Sequence, residues 1–197
     1  MSLKRRDLII LLVFWLTAAC TIGIMVFFFF LRPSGSTAPV YEVASGEATA
    51  LTLYPVAEQA ARDWEEDTQF VSASASWNEA TIADFEQSTE WVYRFYSPGQ
   101  QRLLFVIVTP DKTVITRSHL RKTRRELRII NPEAWTVDSN QAITDWLNSG
   151  GGTWVQQASN RIVSIQLVFD DQVDSPIWII SALNPDTGQS ATYEIRA

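Results

Sequence analysis

Cysteine is almost missing from this 197-residue chain: Cys20 stands alone. A single cysteine closes no intrachain disulfide and supplies no CxxC, CxxCH or thiolate cluster, which excludes the usual structural zinc, iron–sulfur and covalent haem sites. Histidine is as scarce, with only His119, and a general base needs an orienting partner beside it. His119 follows Ser118 and precedes a basic run, which reads as a solvated position. No Gly-x-Ser-x-Gly elbow occurs, and Gly150-Gly151-Gly152 lacks both the strand before it and the lysine after it that a phosphate loop requires. No catalytic residue, cofactor, metal or small-molecule substrate is expected.

Acidic residues do cluster, at Asp63, Glu65, Glu66 and Asp67 and again at Asp170, Asp171 and Asp174. Calcium needs about six to eight converging oxygens. Residues 170–174 lack the glycine and the distant glutamate of a calcium loop, so they read as a solvated hairpin turn.

What the chain does have is one long greasy run. Residues 8–31 are 24 uncharged, mostly apolar residues. At a rise of about 1.5 Å each they make a helix of roughly 36 Å, enough to cross a hydrocarbon core of about 30 Å. Lys4, Arg5 and Arg6 precede it and Arg32 follows. The positive-inside bias then predicts a cytoplasmic segment 1–7, a transmembrane helix 8–31 and an extracytoplasmic remainder, in a bacterial plasma membrane. The run is too long for a cleaved signal's apolar region. Leu16-Thr17-Ala18-Ala19 ahead of Cys20 resembles a degenerate lipobox, but Thr17 stands where a branched aliphatic belongs, and the membrane-helix reading is preferred. Ala19 and Gly23 belong to a small-residue stripe on which another membrane helix could pack. Phe27, Phe28 and Phe30 would meet lipid or a groove near the outer interface. These five are the candidate partner contacts within the membrane.

Residues 32–48, with Pro33-Ser34-Gly35-Ser36, read as a linker. From residue 40 onward the chain holds 12 Lys and Arg against 21 Asp and Glu, a net charge of −9. So acidic a domain does not seek nucleic acid. It reads as two consecutive α+β units, 49–128 and 129–197. The first opens with a helix over 49–66, in which Leu53, Val56, Ala57, Ala60, Ala61 and Trp64 form one apolar face. Strands follow over 70–77, 90–97, 102–109 and 113–118. In Trp91-Val92-Tyr93-Arg94-Phe95 large residues alternate with Val92 and Arg94, the period-two mark of a strand with one buried face. In the second unit Asp138-Ser139 caps a helix carrying Ala142, Ile143, Trp146 and Leu147. The triple glycine ends it, and strands follow over 161–169, 176–183 and 190–196. Ala60-Ala61-Arg62-Asp63-Trp64 and Ala142-Ile143-Thr144-Asp145-Trp146 end the two helices alike. The expected fold class is α+β: one transmembrane helix, then two units of a helix plus an antiparallel meander.

The turn Asn184-Pro185-Asp186-Thr187-Gly188, the Asp138-Ser139-x-x-Ala142 helix start and the Gly150-Gly151 exit resemble the PepSY domain, whose units commonly close with an Asp-x-x-Thr-Gly hairpin. Asn184 replaces the acidic residue here. The resemblance spans both units loosely. It implies a noncatalytic module that binds or restrains partner proteins in the bacterial envelope.

Residues 117–128 carry six basic residues, Arg117, Arg121, Lys122, Arg124, Arg125 and Arg128, against Glu126 alone. Two readings stand: a solvated connector between the units, or a docking strip for an acidic partner surface or anionic lipid head groups. Trp64, Trp91, Trp146 and Trp178 fall at core-facing positions. Trp77, Trp135 and Trp154 fall near element ends, where they could cover the core or meet a partner. The function expected from these features is that of a noncatalytic single-pass accessory subunit bracing the extracytoplasmic face of a larger membrane complex, with respiratory and photosynthetic electron-transfer assemblies as candidate hosts. The alternative is a regulator or inhibitor of an envelope protease. The expected partners are other membrane-protein subunits and the bilayer.

Overall fold

The computed structural model describes residues 48–85, 87, 89–120, 127–157 and 160–197. The apolar run over 8–31, the linker up to residue 47 and most of the basic strip lie outside these. No described helix is long and apolar enough to cross a membrane.

Helix α1 (Ala50–Trp64) begins where Thr49 and Thr52 form a reciprocal capping box, which satisfies amide donors that the first turn leaves unpaired. Its inward face is Leu53, Tyr54, Ala57 and Ala61. A meander follows, made of β1 (Gln69–Asn78), β2 (Trp91–Ser97), β3 (Arg102–Val108) and β4 (Val114–Leu120), with the one-turn α2 (Ile82–Phe85) between β1 and β2. After a short turn at Pro132–Ala134 comes α3 (Ser139–Trp146), then the second meander, β5 (Ile162–Asp170), β6 (Ser175–Asn184) and β7 (Gln189–Arg196).

All seven strands join one sheet in the order β4-β3-β2-β1-β5-β6-β7, and every pair is antiparallel. The first strand of each meander therefore meets the other at the sheet's centre. The two helix N-caps meet as well. Thr49 Oγ1 donates to Asp138 Oδ2 at 2.5 Å across a separation of 89 residues. The same offset of 89 relates Ser76 to Ile165 and Ala75 to Ser164, the middle of the β1–β5 ladder. Helix starts and central strands are thus related by one step along the chain. The helix ends are not, because α1 has 15 residues and α3 has 8. The sequence likeness of Trp64 and Trp146 follows a different offset.

Both helices pack on one sheet face. Leu167, Ala73 and Tyr93 share a row with Trp178, and all are buried in one cluster with Leu53, Ala57, Ala142 and Ile143. A bulge in β1 between Phe70 and Ser72 shifts the strand's parity by one residue. Phe70 thereby faces the core together with Ala73 and Ala75. Trp135 sits at the aromatic centre, 5.9 Å from Phe70 and 5.7 Å from Trp178 by ring centroids. The Val137 carbonyl accepts both indole N–H groups, at 2.9 Å from Trp135 and 2.7 Å from Trp178. Trp135 is a core residue, 3 % exposed, which resolves the open sequence reading for that residue.

Two elements differ from the sequence expectation. The glycine run ends α3 but not the helical path. Gly150 turns with φ of 118° inside a π-type turn at Leu147–Gly151, and α4 (Gly152–Gln157) then buries Val155. A side chain at Gly151 would strike the Trp146 ring, 2.3 Å from a Cβ placed there. Strand β4 also runs to Leu120, two residues past the expected end at 118, so His119 is a strand residue as well as Arg117.

Candidate docking surface

Helices cover one face of the sheet, and among the described residues none covers the other. On β2, β3 and β4 the open face presents three cross-strand rows: Val92, Ile107 and Ile115; Arg94, Phe105 and Arg117; Tyr96, Leu103 and His119. Ile115 is 46 % exposed, and the residues of β2 and β3 are half-buried by one another. Apolar and aromatic side chains thus make up most of this face.

Its central row carries the charge. The Arg94 guanidinium carbon lies 5.2 Å from the centroid of the Phe105 ring. The His119 ring meets the same phenyl edge-on, with centroids 5.5 Å apart. Arg94 Nε is buried without a hydrogen-bond partner, and burial pulls the guanidinium below its ordinary pKa. A cation–π contact is worth about 0.5–2 kcal/mol, whereas a buried unsatisfied donor costs about 1–3 kcal/mol. The free protein gains nothing clear from holding Arg94 in this way. The ion pairs Arg62–Glu58 at 2.9 Å and Arg128–Asp171 at 2.7 Å lie elsewhere, and among the described residues no carboxylate pairs with Arg94 or Arg117. An arginine pair beside an aromatic ring, in a domain otherwise acidic, suits bidentate binding of carboxylates.

The residues singled out from sequence fall into three groups. Arg117 is on this face, directly across from Phe105. Arg128 is elsewhere: it pairs with Asp171, just after β5, four strands away from β4, or about 19 Å at 4.8 Å per strand. Ala19, Gly23, Phe27, Phe28 and Phe30 in the apolar run, and Arg121, Lys122, Arg124 and Arg125 in the strip, lie outside the described residues. Arg94 and Phe105 were not singled out. Their signal was present in the alternation of β2 and β3, whose outward positions hold valine, leucine, phenylalanine and isoleucine where a solvated face would hold polar side chains.

Asp67 and Asp170 are each engaged by a turn. The Asp67 carboxylate accepts from Ser97 Oγ at 2.6 Å and from the Gly99 amide at 2.6 Å, which clamps the β2–β3 turn and lowers its pKa. Asp170 accepts from the Gln172 amide at 2.7 Å. No group of three or more His, Cys, Asp or Glu among the described residues could hold a metal ion. Asp138 looks reactive but is fully engaged. It accepts from Thr49, from the Leu51 amide at 3.0 Å and from the Ser139 amide at 2.6 Å, so one carboxylate caps both helices where their N-terminal dipoles converge. Burial, and then the charge of Asp138, raise the Tyr93 pKa; its neutral hydroxyl donates to the Ala50 carbonyl at 2.6 Å.

Comparison with protein-family models, with curated proteins and with solved structures returned no match.

Proposed function

We propose that the chain is a noncatalytic docking subunit, anchored by its N-terminal apolar run to a bacterial plasma membrane. Its α+β domain would brace the extracytoplasmic face of a larger membrane complex. The two meanders would descend from one duplicated PepSY-like unit, a reading supported by the common 89-residue offset of the helix caps and central strands. One observation carries the docking reading: Arg94, half-buried on an open apolar sheet face, with an unpaired nitrogen and no carboxylate among the described residues. An acidic partner surface would supply the missing acceptors and cover Phe105, Ile107 and Leu103 together.

The test is purification of the tagged full-length chain from native membranes in mild detergent. Co-migration with stoichiometric partner subunits supports the proposal, and migration as a free monomer contradicts it. Substoichiometric recovery with an envelope protease would favour the regulatory alternative.

A further inference from the structure

The edge of the sheet offers a second kind of binding, through backbone groups. Strand β4 is an outermost strand. Thr109 and Thr113 close the β3–β4 hairpin, with the Thr109 amide donating to the Thr113 carbonyl at 3.0 Å. Antiparallel ladders alternate, so Thr113, Ile115, Arg117 and His119 direct their backbone groups toward β3. Val114, Thr116, Ser118 and Leu120 therefore direct theirs outward, where among the described residues no strand meets them. Natural edges are usually blunted by proline, lysine, a bulge or an inward charge. Residues Val114–Leu120 hold no proline, lysine or bulge and pair with β3 in unbroken register, with Arg117 on the open face as the strand's one formal charge.

Beside this edge runs an open groove between α1 and β4, lined by Pro55, Val56, Ala60 and Val114, with Gln59 and Asp63 at its rim. Asp63 is held by Gln59 Nε2 at 2.8 Å. A strand added to β4 would turn alternate side chains into this apolar groove. The others would lie on the open face beside Arg117. A second copy is a poor occupant, because the fully overlapped antiparallel register sets Arg117 against Arg117, and like charges directly opposed are destabilising.

We infer that β4 binds an extended segment of a partner polypeptide by strand addition, with apolar residues facing the α1 groove and an acidic residue beside Arg117. This goes beyond the open-face proposal, because it uses the backbone edge and does not require Arg94. The probe is a capped peptide of alternating valine and glutamate, added to the purified full-length chain in detergent, with a valine–lysine peptide as control. The glutamate peptide is expected to slow amide exchange at Thr116 and Ser118 by about tenfold or more, with affinity falling as salt rises. Arg117→Glu should reverse the charge preference, and Glu194→Gln on the opposite edge strand should leave peptide binding unchanged.

Thr116→Pro should abolish binding while keeping the native melting temperature, because that amide faces outward and edge positions of this kind tolerate proline. Methylating the peptide's own backbone nitrogens tests the same hydrogen bonds without altering the protein, and should also abolish binding. Equal binding of both peptides, undiminished binding after backbone methylation, or protection confined to β7 would overturn the inference. Protection of the β4 amides by phosphatidylglycerol vesicles but not by peptide would assign the edge to a membrane surface and overturn it equally.

Discussion

The two halves of the sheet share a core face and differ on the other. On β2–β4 the open face holds Arg94 and Phe105 among valine, leucine and isoleucine, and no acid. On β5–β7 it holds Ser164, Gln166, Ser181, Thr192, Glu194 and Arg196 beside Ile162, Val168, Ile177, Ile179 and Leu183. The edges differ in the same sense: β4 is free of carboxylates, while β7 carries Glu194 between tyrosine and isoleucine. The shared face is constrained by packing. The open face is not, and there the two halves differ in charge: the first carries Arg94 and Arg117 without an acid, whereas the second sets Glu194 beside Arg196.

The largest expected effect tests the shared face. Trp178 is fully buried and donates to Val137 at 2.7 Å. Trp178→Ala should cost about 3–5 kcal/mol, read as a drop of roughly 10 °C or more in melting temperature. The buried Trp91 has no partner for its indole N–H. Both Trp178→Phe and Trp91→Phe lose packing volume, but Trp178→Phe also loses its hydrogen bond and should destabilise by about 1 kcal/mol more. Equal losses would show that packing volume alone governs both sites.

Next comes the joint between the halves. Asp138→Ala removes acceptors from both helix starts at once and should cost about 2–4 kcal/mol, since a single cap is worth about 1 kcal/mol. Urea melts should show the loss, and amide exchange should quicken at both Leu51 and Ser139. Quickening at Ser139 alone would mean that the halves are capped independently.

A smaller effect distinguishes the halves by pH. The Asp67 clamp lowers that carboxyl below its ordinary 3.8. Its stabilisation is therefore complete above that value and is lost as pH falls through the lower folded value. Asp67→Asn should be less stable than the wild type at neutral pH, and the gap should close on acidification. A gap independent of pH would locate the effect in packing instead of charge.

Much of this architecture was legible in the amino-acid order, because alternation on a one-sided sheet is strong. Tyr93 and Phe95 between Val92 and Arg94 marked β2, and the turn after Asn184 closed as its residues suggest. There Gly188 takes a φ of 71° and Asn184 Oδ1 accepts the Asp186 amide at 3.0 Å. What stayed hidden depends on distant pairing. Nothing local says that β1 meets β5, or that Trp135, in an irregular stretch, fills the centre of the core. The bulge at Phe70–Ser72 is needed to complete the aromatic cluster, yet no residue there announces it. Arg117 read as part of a basic strip because the strip continues in sequence; folding keeps it on β4 and sends Arg128 to Asp171. Arg94 is legible only as a polar position in an alternating strand, because nothing local shows that its buried Nε finds no acceptor.

The smallest effect on stability should accompany the largest on binding. Arg94→Met removes a desolvated charge and should change stability by about 1 kcal/mol or less, in either direction. The most direct measurement is native electrophoresis of the tagged full-length chain extracted in mild detergent, comparing the wild type with the Arg94→Met, Arg117→Glu double variant. The wild type should run within a large assembly, and the folded variant should run as a released subunit. Retention of that variant in the same assembly would contradict docking through the open face of β2–β4.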